Sequence, residues 1–222
     1  MTHSDRGTIE YKDELVRKLI HLTSLSIPVV YYFIPRETAA LILGILTFFA
    51  IVLDLARYFS PWIGKIFYKI FGFLLRRHEV DHKKKNLNGA TYVLISGFLG
   101  VLLFPKVIFV TAFTILIVGD TMAALIGRKY GKHNFMFKSL EGTLAFFISS
   151  CIVVLFTPKV AYLTQEFVIG FVGAFIGALV ENISFKYIDD NMSIPFSVGF
   201  IMWLLYIIIL PNIELILSNV PG

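Results

Sequence analysis

An aspartate stands inside an apolar run in the sequence VGDTMAALIGRKYGKHNFMFKSLEG, which covers residues 118–142. This aspartate is Asp120, and the small residues after it lead into a segment with four cations between Arg128 and Lys138. An acid in an apolar helix is costly and, where the helix crosses a membrane, usually marks a functional site. We therefore predict a chemical role for Asp120, with a structural role as the alternative.

The end of the same stretch has the residue types of a phosphate site. Ser139 precedes an apolar run and is predicted to cap the start of a helix, where free backbone N–H groups attract anions. Lys138 lies beside them, whereas the carboxylate of Glu141 would repel a phosphate unless a divalent cation lay between the two. The segment therefore predicts a site for phosphate with a metal ion such as Mg²⁺, although an N-cap alone would also explain Ser139.

Two apolar segments carry small residues and a carboxylate on one helical face. Asp120, Ala124 and Gly127 fall within a narrow arc of a helix with 3.6 residues per turn. In a later segment Glu181 shares a face with three glycines, Gly170, Gly173 and Gly177. Close helix packing explains the small residues by themselves. The carboxylates are the functional candidates, Asp120 more than Glu181, which lies nearer the membrane interface.

The sequence HEVDH at residues 78–82 matches the H-E-x-x-H pattern of zinc metalloproteases. In that pattern two histidines one helical turn apart bind zinc and the glutamate activates water. Here His78, Glu79 and His82 lie between two arginines and three lysines, which disfavour a dication, and no third ligand is evident. An ordinary solvated loop is the preferred interpretation.

The composition indicates that a membrane surrounds these residues. Of 222 residues, 57% are hydrophobic and the mean hydropathy is +0.78, more than a soluble domain of this length could hide. Cys151 is the single cysteine, which excludes an internal disulfide, and the polar amino-terminal segment predicts no signal peptide. We predict an all-α integral membrane protein in which residues 1–222 form one domain. Apolar runs of spanning length predict seven transmembrane helices: 17–35, 37–56, 89–105, 107–127, 142–158, 165–182 and 195–211.

The basic residues are distributed unevenly between the two sides of these helices. Of the 20 Lys and Arg residues, 17 fall on the side of the amino terminus and three on the other. The positive-inside rule therefore places the amino terminus in the cytoplasm and the carboxyl terminus outside. This distribution explains the net charge of +5 without a nucleic-acid partner. Within the cytoplasmic segment 57–85, YFSPWIGKIFYKIFGFLLRR interleaves cations with apolar residues and predicts an interfacial amphipathic helix.

The acidic and amide side chains collect on the same side as the basic ones. A channel or transporter would place polar groups through the membrane or near its midplane, whereas here the outer loops are short and chemically bare. The pattern favours a site that faces the cytoplasm and acts on a molecule in the bilayer. A non-catalytic scaffold or transporter, with the small residues used for packing or gating, is the alternative from another class.

Four segments resemble the polyprenol kinase family, which includes dolichol kinase, phytol kinase and CTP-dependent diacylglycerol kinase. GDTMAALIGRKYGKHNFMFKSLEG resembles the family signature, and ELVRKLIHLTS resembles its amino-terminal Arg-Lys pair and following His. NLNGATY resembles the segment before the third helix, and ENISFKYIDDNMSIP resembles the acidic carboxyl-terminal motif. The segments occur in family order over residues 14–195.

This resemblance implies transfer of the terminal phosphate of a nucleotide, typically CTP, to the hydroxyl of a membrane lipid with a divalent cation such as Mg²⁺. It leaves the acceptor lipid and the oligomeric state open. The catalytic residues that it implies are Asp120, Arg17 and Lys18, the last two also explicable as positive-inside anchors. The nucleotide-binding residues that it implies are Gly127, Lys138, Ser139, Glu141, Gly142 and Asn88. The metal ligands expected with them are Asp120, Glu141, Glu181 and Asp190.

The same block also resembles part of the CDP-diacylglycerol synthase signature. That enzyme attacks the alpha phosphate of CTP with a lipid phosphate and releases pyrophosphate. Its carboxyl-terminal paired glycines and Asp-Arg-x-Asp element are not found here, where the chain has IDDNMSIP. A phosphatidate cytidylyltransferase is therefore the second interpretation.

A single site would require distant parts of the chain to meet. We expect one cavity lined by Arg17, Asn88, Asp120, Lys138, Glu141, Glu181 and Asp190. Asp120 would then act as a metal ligand or as the base for the lipid hydroxyl, and the sequence leaves both roles open.

Overall fold

Nearly all of the secondary structure is helical. The computed structural model describes residues 11–72, 87–184, 189–218 and 220–221. The helices are α1 (Tyr11–Thr23), α2 (Ser26–Phe33), α3 (Arg36–Phe59), α4 (Pro61–Phe71), α5 (Gly89–Leu103), α6 (Lys106–Tyr130), α7 (Leu140–Phe156), α8 (Thr164–Ser184) and α9 (Asp190–Ile209). Between α6 and α7, the short strands β1 (Asn134–Phe135) and β2 (Lys138–Ser139) pair in an antiparallel hairpin.

The lengths of the helices agree with a protein embedded in a membrane. Among the described residues, four helices are long and apolar enough to cross a bilayer, namely α3, α6, α8 and α9. Two more, α5 and α7, are apolar but shorter, with 15 and 17 residues. The prediction of an all-helical integral membrane protein is confirmed, and the number of seven crossings stays a prediction.

The predicted helix at 17–35 is wrong as one continuous helix. The chain turns after Thr23, and the backbone N–H groups of Ser24 and Leu25 donate to carbonyls three residues earlier, at 3.0 Å each. Pro28 explains the break because it has no N–H to donate to Ser24 and its ring crowds that carbonyl. The segment therefore forms α1 and α2.

Helix α9 begins at Asp190, before the predicted residue 195. Asp189 caps it, and the Asp189 side chain accepts a hydrogen bond from the backbone N–H of Asn191 at 3.0 Å. Pro195 lies inside the helix. The early start places Asp190 in the first helical turn, where the electropositive end of the helix favours an acid.

Helix α6 lies at the centre of the fold and packs against α1, α2, α7, α8 and α9. Its middle is fully buried at Ile115, Leu116 and Ile117. Near its end the backbone meets the start of α7, because a Cβ on Gly127 would lie 3.3 Å from the Cα of Gly142. This close approach gives both glycines a packing role, and their nucleotide-binding role stays a prediction.

Some predictions fall outside the described residues. These are the metalloprotease-like HEVDH sequence at residues 78–82, the end of the amphipathic segment at residues 73–77, and residues 185–188 of the acidic carboxyl-terminal motif.

Candidate active site

Helix α1 turns a polar face toward the rest of the protein. This face carries Glu14, Arg17, Lys18 and His21, whose spacing puts them on one side of a helix. The opposite side, with Leu15, Leu19 and Ile20, is exposed. A soluble amphipathic helix has the reverse arrangement. The orientation of α1 therefore suits a helix with charges directed into a protein site and apolar side chains directed to lipid.

Lys18 joins α1 to the centre of α6. Its Nζ donates a hydrogen bond to Oδ2 of Asp120, and the two side chains are only 2% and 6% exposed. His21 lies on the same side, with Nε2 3.4 Å from that carboxylate oxygen. An uncompensated charge at this depth would cost several kcal/mol, so Lys18 is the group that stabilises an ionised Asp120.

A second lysine and carboxylate pair lies between the hairpin and α8. Lys138 Nζ donates to Oε1 of Glu181 at 2.5 Å, and Glu181 is buried. Burial by itself lowers the pKa of Lys138, but the carboxylates of Glu181 and Asp190 outweigh it and raise that pKa above its usual value. The other oxygen of Glu181, Oε2, is buried and accepts no hydrogen bond from any residue that the structure describes.

Asp190 connects the two pairs electrostatically. It is buried at the start of α9, and its charge acts on both lysines and on the carboxylates of Asp120 and Glu181. We call this group the central cluster, and its members are Lys18, His21, Asp120, Lys138, Glu181 and Asp190. Segments from both halves of the chain thus supply one buried set of charges.

Two arginines lie at the edge of the central cluster and share one carboxylate. Glu14 is 1% exposed, and its Oε1 accepts from Nη2 of Arg17 at 2.5 Å. Nη2 of Arg128 lies 3.3 Å from Oε2 of the same glutamate. The two guanidinium groups compensate the negative charge of this buried carboxylate. Guanidinium groups held in this way suit phosphate recognition.

Asn182 positions the hairpin that carries Lys138. Its Oδ1 accepts from the backbone N–H of Phe137 at 2.9 Å, and its Nδ2 donates to the carbonyl of Phe135 at 3.0 Å. The same amide group donates to Oγ1 of Thr143 at 2.8 Å. Asn182 therefore fixes the hairpin against α7 and α8 on both sides of the loop.

The start of α7 agrees with the predicted cap. Oγ of Ser139 accepts from the backbone N–H of Gly142 at 3.2 Å, so Ser139 is confirmed as the N-cap. Glu141, two residues after the cap, contacts His133 instead, whose Nδ1 lies 2.7 Å from Oε1. Hydrogen bonds from its own backbone N–H and from His133 lower the pKa of Glu141 to about 2.

Asn88 also has contacts of its own. It caps α5, with Oδ1 accepting from the backbone N–H of Thr91 at 2.9 Å, and its own N–H donates to Asp54 at 2.6 Å. Asp54 pairs with the buried Arg57 at 2.9 Å. The structure thus brings Asp120, Lys138, Glu181 and Asp190 together with Arg17 at the edge, whereas Asn88 and Glu141 contact other residues. A nucleotide-binding role for these two stays a prediction.

Sequence reasoning did not select several residues that complete this arrangement: Glu14, His21, Arg128 and Asn182. For the first two a signal was present, because they share a helical face with Arg17 and Lys18. Asn182 follows Glu181 directly in an apolar segment, where an amide side chain often hydrogen-bonds to a neighbouring element. Arg128 had no signal beyond its charge.

A separate apolar groove of about 600 Å³ lies between α2, α6 and α7. Helix α6 contributes Val110, Thr114, Val118 and Met122 at a spacing of four, which is one face of the helix. Asp120 lies on the opposite face. The groove therefore lies on the other side of α6 from the central cluster and does not form part of it.

The chain is similar to proteins from distant organisms. It is 32% identical over 192 residues to an uncharacterised protein of Rickettsia prowazekii, covering 86% of this chain and 93% of the relative. It is 29% identical over 165 residues to CTP-dependent diacylglycerol kinase 1 of Schizosaccharomyces pombe, covering 68% of this chain and 74% of the relative. It is 27% identical over 176 residues to a probable chloroplastic phytol kinase of Zea mays, covering 68% of this chain and 58% of the relative. No protein-family model matches the chain, and no solved structure does.

Proposed function

Because the chain belongs to the lipid kinase family of the diacylglycerol, phytol and dolichol kinases, we propose that its central cluster phosphorylates a membrane lipid alcohol. The donor is a nucleoside triphosphate, CTP, and the acceptor is the hydroxyl of a polyprenol or dolichol, of a phytol-type isoprenoid, or of diacylglycerol. The observation that carries this proposal is the buried Lys18–Asp120 pair, set between Lys138–Glu181 and two arginines.

The cations of the site match the needs of the donor. Phosphoryl transfer asks a protein mainly to position the phosphates and to stabilise their negative charge. Lys18 lies against Asp120, and Lys138 lies against Glu181. Arg17 and Arg128 are held by Glu14 at the edge of the central cluster. These four groups are the proposed phosphate ligands.

The carboxylates fit a divalent cation such as Mg²⁺. Asp120, Glu181 and Asp190 offer the hard oxygen ligands that Mg²⁺ prefers, and Oε2 of Glu181 is buried without a hydrogen bond. Within the described residues no three acidic, histidine or cysteine groups converge closely enough to hold a metal alone. Mg²⁺ commonly takes one or two carboxylates together with substrate phosphates, so this donor set suits an ion shared with the nucleotide. Glu141 is held by His133 and is left out of the set.

The reaction needs one proton acceptor. The lipid hydroxyl oxygen bonds to the terminal phosphorus, the bond to the second phosphate breaks, and the nucleoside diphosphate leaves. The hydroxyl proton passes to a carboxylate, for which Asp120 is the candidate because the surrounding cations favour its ionised form. A bound dication would shield the phosphate charge during this step.

The site is proposed to face the cytoplasm. The charge distribution between the two sides of the helices supports this orientation, with α5 and α7 completing the crossings and α1 and α2 together making the first. Helix α4 is proposed to lie at the membrane interface. Its exposed Trp62, Ile66 and Ile70 form one stripe, and Lys65 and Lys69 lie beside it.

Labelled CTP tests the reaction directly. Purified protein in lipid vesicles is incubated with Mg²⁺, candidate lipid alcohols and CTP labelled in the gamma or the alpha phosphate. We expect only the gamma label to enter lipid. Entry of the alpha label alone, from vesicles with phosphatidate, would instead identify a cytidylyltransferase, and entry of neither label with any acceptor would reject both.

Orientation is tested separately with single cysteines. In a Cys151→Ser background, a cysteine is placed at the exposed Lys132 or at the exposed Tyr162. We expect an impermeant thiol reagent to reach Lys132→Cys from the cytoplasmic side and Tyr162→Cys from the other. Labelling of both from one side contradicts the proposed topology.

A further inference from the structure

We infer that Lys18 and Lys138 are stand-in cations: in the ligand-free protein each occupies a carboxylate oxygen that binds metal once nucleotide is present, and each then turns to the phosphates. The inference rests on the proposed function and adds to it that metal and nucleotide bind cooperatively. Metal alone and nucleotide alone bind weakly, because each requires the other to release the charges that oppose it.

The two pairs are built in the same way. In each, a lysine donates to one oxygen of a buried carboxylate on a membrane helix, Lys18 to Asp120 and Lys138 to Glu181. The lysines come from α1 and from the β2 hairpin, whereas the carboxylates belong to α6 and α8. A lysine amine at the end of a flexible stem can change partners without movement of the backbone that holds the acid.

Charge explains why neither ligand binds well by itself. A dication that approaches Asp120 or Glu181 meets a lysine already bound to the same carboxylate. A free nucleotide meets Asp120, Glu181 and Asp190, whose negative charges repel its phosphates in a buried setting where screening is weak. When both arrive, the lysines gain phosphate oxygens and the carboxylates gain the metal, so each new pairing compensates the one that is lost.

The carboxylate of Glu181 is only partly satisfied by its hydrogen bonds. Lys138 satisfies only Oε1, and Oε2 is buried with no hydrogen-bond donor within the described part of the chain. A buried acceptor without a partner costs free energy, which a ligand at that oxygen would recover. The ion pair therefore neutralises the glutamate without filling its coordination.

Burial alone does not require a lysine of this protein to pair with a carboxylate. Lys159 is 4% exposed, yet its Nζ donates to the backbone carbonyls of Val154 and Thr157 at 2.7 Å each. These acceptors belong to neighbouring residues and cannot bind a metal in exchange. The pairing of Lys18 and Lys138 with acids is a property of the central cluster.

The test measures each ligand alone on the full chain in lipid nanodiscs. Mn²⁺ serves as the metal probe without nucleotide, followed by the electron paramagnetic resonance signal of the free ion. CTP serves as the nucleotide probe with a chelator, followed by equilibrium dialysis. The variants are Lys138→Met, which frees Glu181, and Glu181→Gln, which removes its charge. Lys132→Met is the matched control, because it removes an exposed lysine from the same loop.

We expect two gains of binding, which a misfolded protein would not produce. Lys138→Met should bind Mn²⁺ about tenfold more tightly than the unmodified chain, and Lys132→Met should not. Glu181→Gln should bind metal-free CTP about tenfold more tightly, because Lys138 is then released to the phosphates.

The proposed exchange of partners is wrong if either of these two increases in affinity is not observed. If Lys138→Met binds Mn²⁺ no better, or Glu181→Gln binds metal-free CTP no better, while the unmodified chain still transfers the gamma label, the inference fails and the proposed kinase function stands. If the unmodified chain neither binds CTP with Mg²⁺ nor transfers label, both fail.

Discussion

The two ends of α8 each bury a glutamate, and the two are satisfied in different ways. Near the start of the helix, Glu166 accepts backbone N–H groups of the preceding loop, from Val160, Ala161 and Leu163 at 2.8 to 3.1 Å. It also accepts the hydroxyl of Tyr206 at 3.0 Å. Near the end of the helix, Glu181 has one lysine from a distant hairpin and one oxygen without a hydrogen bond.

The lysines near these two glutamates, Lys159 and Lys138, also differ in the kind of partner they have. Lys159 donates to carbonyls a few residues away, and burial lowers its pKa to about 8. The pKa of Lys138 is raised, because carboxylates surround it despite its burial. Three local backbone N–H groups and the Tyr206 hydroxyl satisfy Glu166 and hold a loop in place, whereas Glu181 has one side-chain partner and one oxygen without a hydrogen bond from the described residues. The comparison separates a structural region from a candidate functional one.

The largest effect is expected at Asp120. Asp120→Asn keeps the shape and removes the charge, so the protein should insert and fold while lipid phosphorylation falls about 10³-fold. The measurement is gamma-label transfer at increasing Mg²⁺. Recovery at high Mg²⁺ identifies a metal ligand, and loss at every concentration with CTP affinity intact identifies the base. Near-normal transfer would make Asp120 a structural group.

A smaller loss of activity should distinguish the half-buried Lys138 from the buried Lys159. Lys138→Met removes a phosphate ligand and should lower kcat about 10²-fold. Lys159→Met, the matched change at the other end of α8, should leave the kcat of the folded protein unchanged. Equal losses in the two variants would remove the distinction between the regions.

Glu166 should affect stability without affecting chemistry. Glu166→Gln weakens hydrogen bonds to a charged acceptor and should lower the free energy of unfolding by about 2 kcal/mol. Thermal unfolding in detergent measures the shift, and label transfer by the remaining folded protein measures activity. A variant with unchanged stability and lost transfer would reassign Glu166 to the site.

The smallest effect concerns pH and Lys159. Its pKa in the folded protein is about 8, against 10.5 in an unfolded chain, so between these values the unfolded state binds more protons. Stability from this residue should therefore rise as pH increases from 8 toward 10, and should be constant below 8. The difference in Tm between the unmodified chain and Lys159→Met measures this contribution to stability. A difference that does not change with pH would contradict the lowered pKa of Lys159.

Local features of the chain were predictable. The apolar segments indicated most helices to within a few residues, and Ser139 was recognised as a cap from the residues around it. The break before Pro28 was missed because hydropathy was averaged over the whole segment, although Ser24 and Ser26 interrupt the apolar run and a proline cannot supply the hydrogen bond that a continuous helix needs there. The spacing of Glu14, Arg17, Lys18 and His21 predicts that they share one face of a helix. It does not predict that this face packs against Asp120.

The sequence by itself determined that this chain enters a membrane and that acids and cations lie at the ends of its helices, because hydropathy and helical spacing are properties of short segments. Tertiary structure alone decided their partners. Lys18 and Asp120 are 102 residues apart, and Lys138 and Glu181 are 43 apart. Such pairs depend on the rotation and packing of whole helices around α6. Helix packing also placed Asn88 beside Asp54, 34 residues away, whereas Glu141 and His133 are eight residues apart and meet through the local fold of the hairpin.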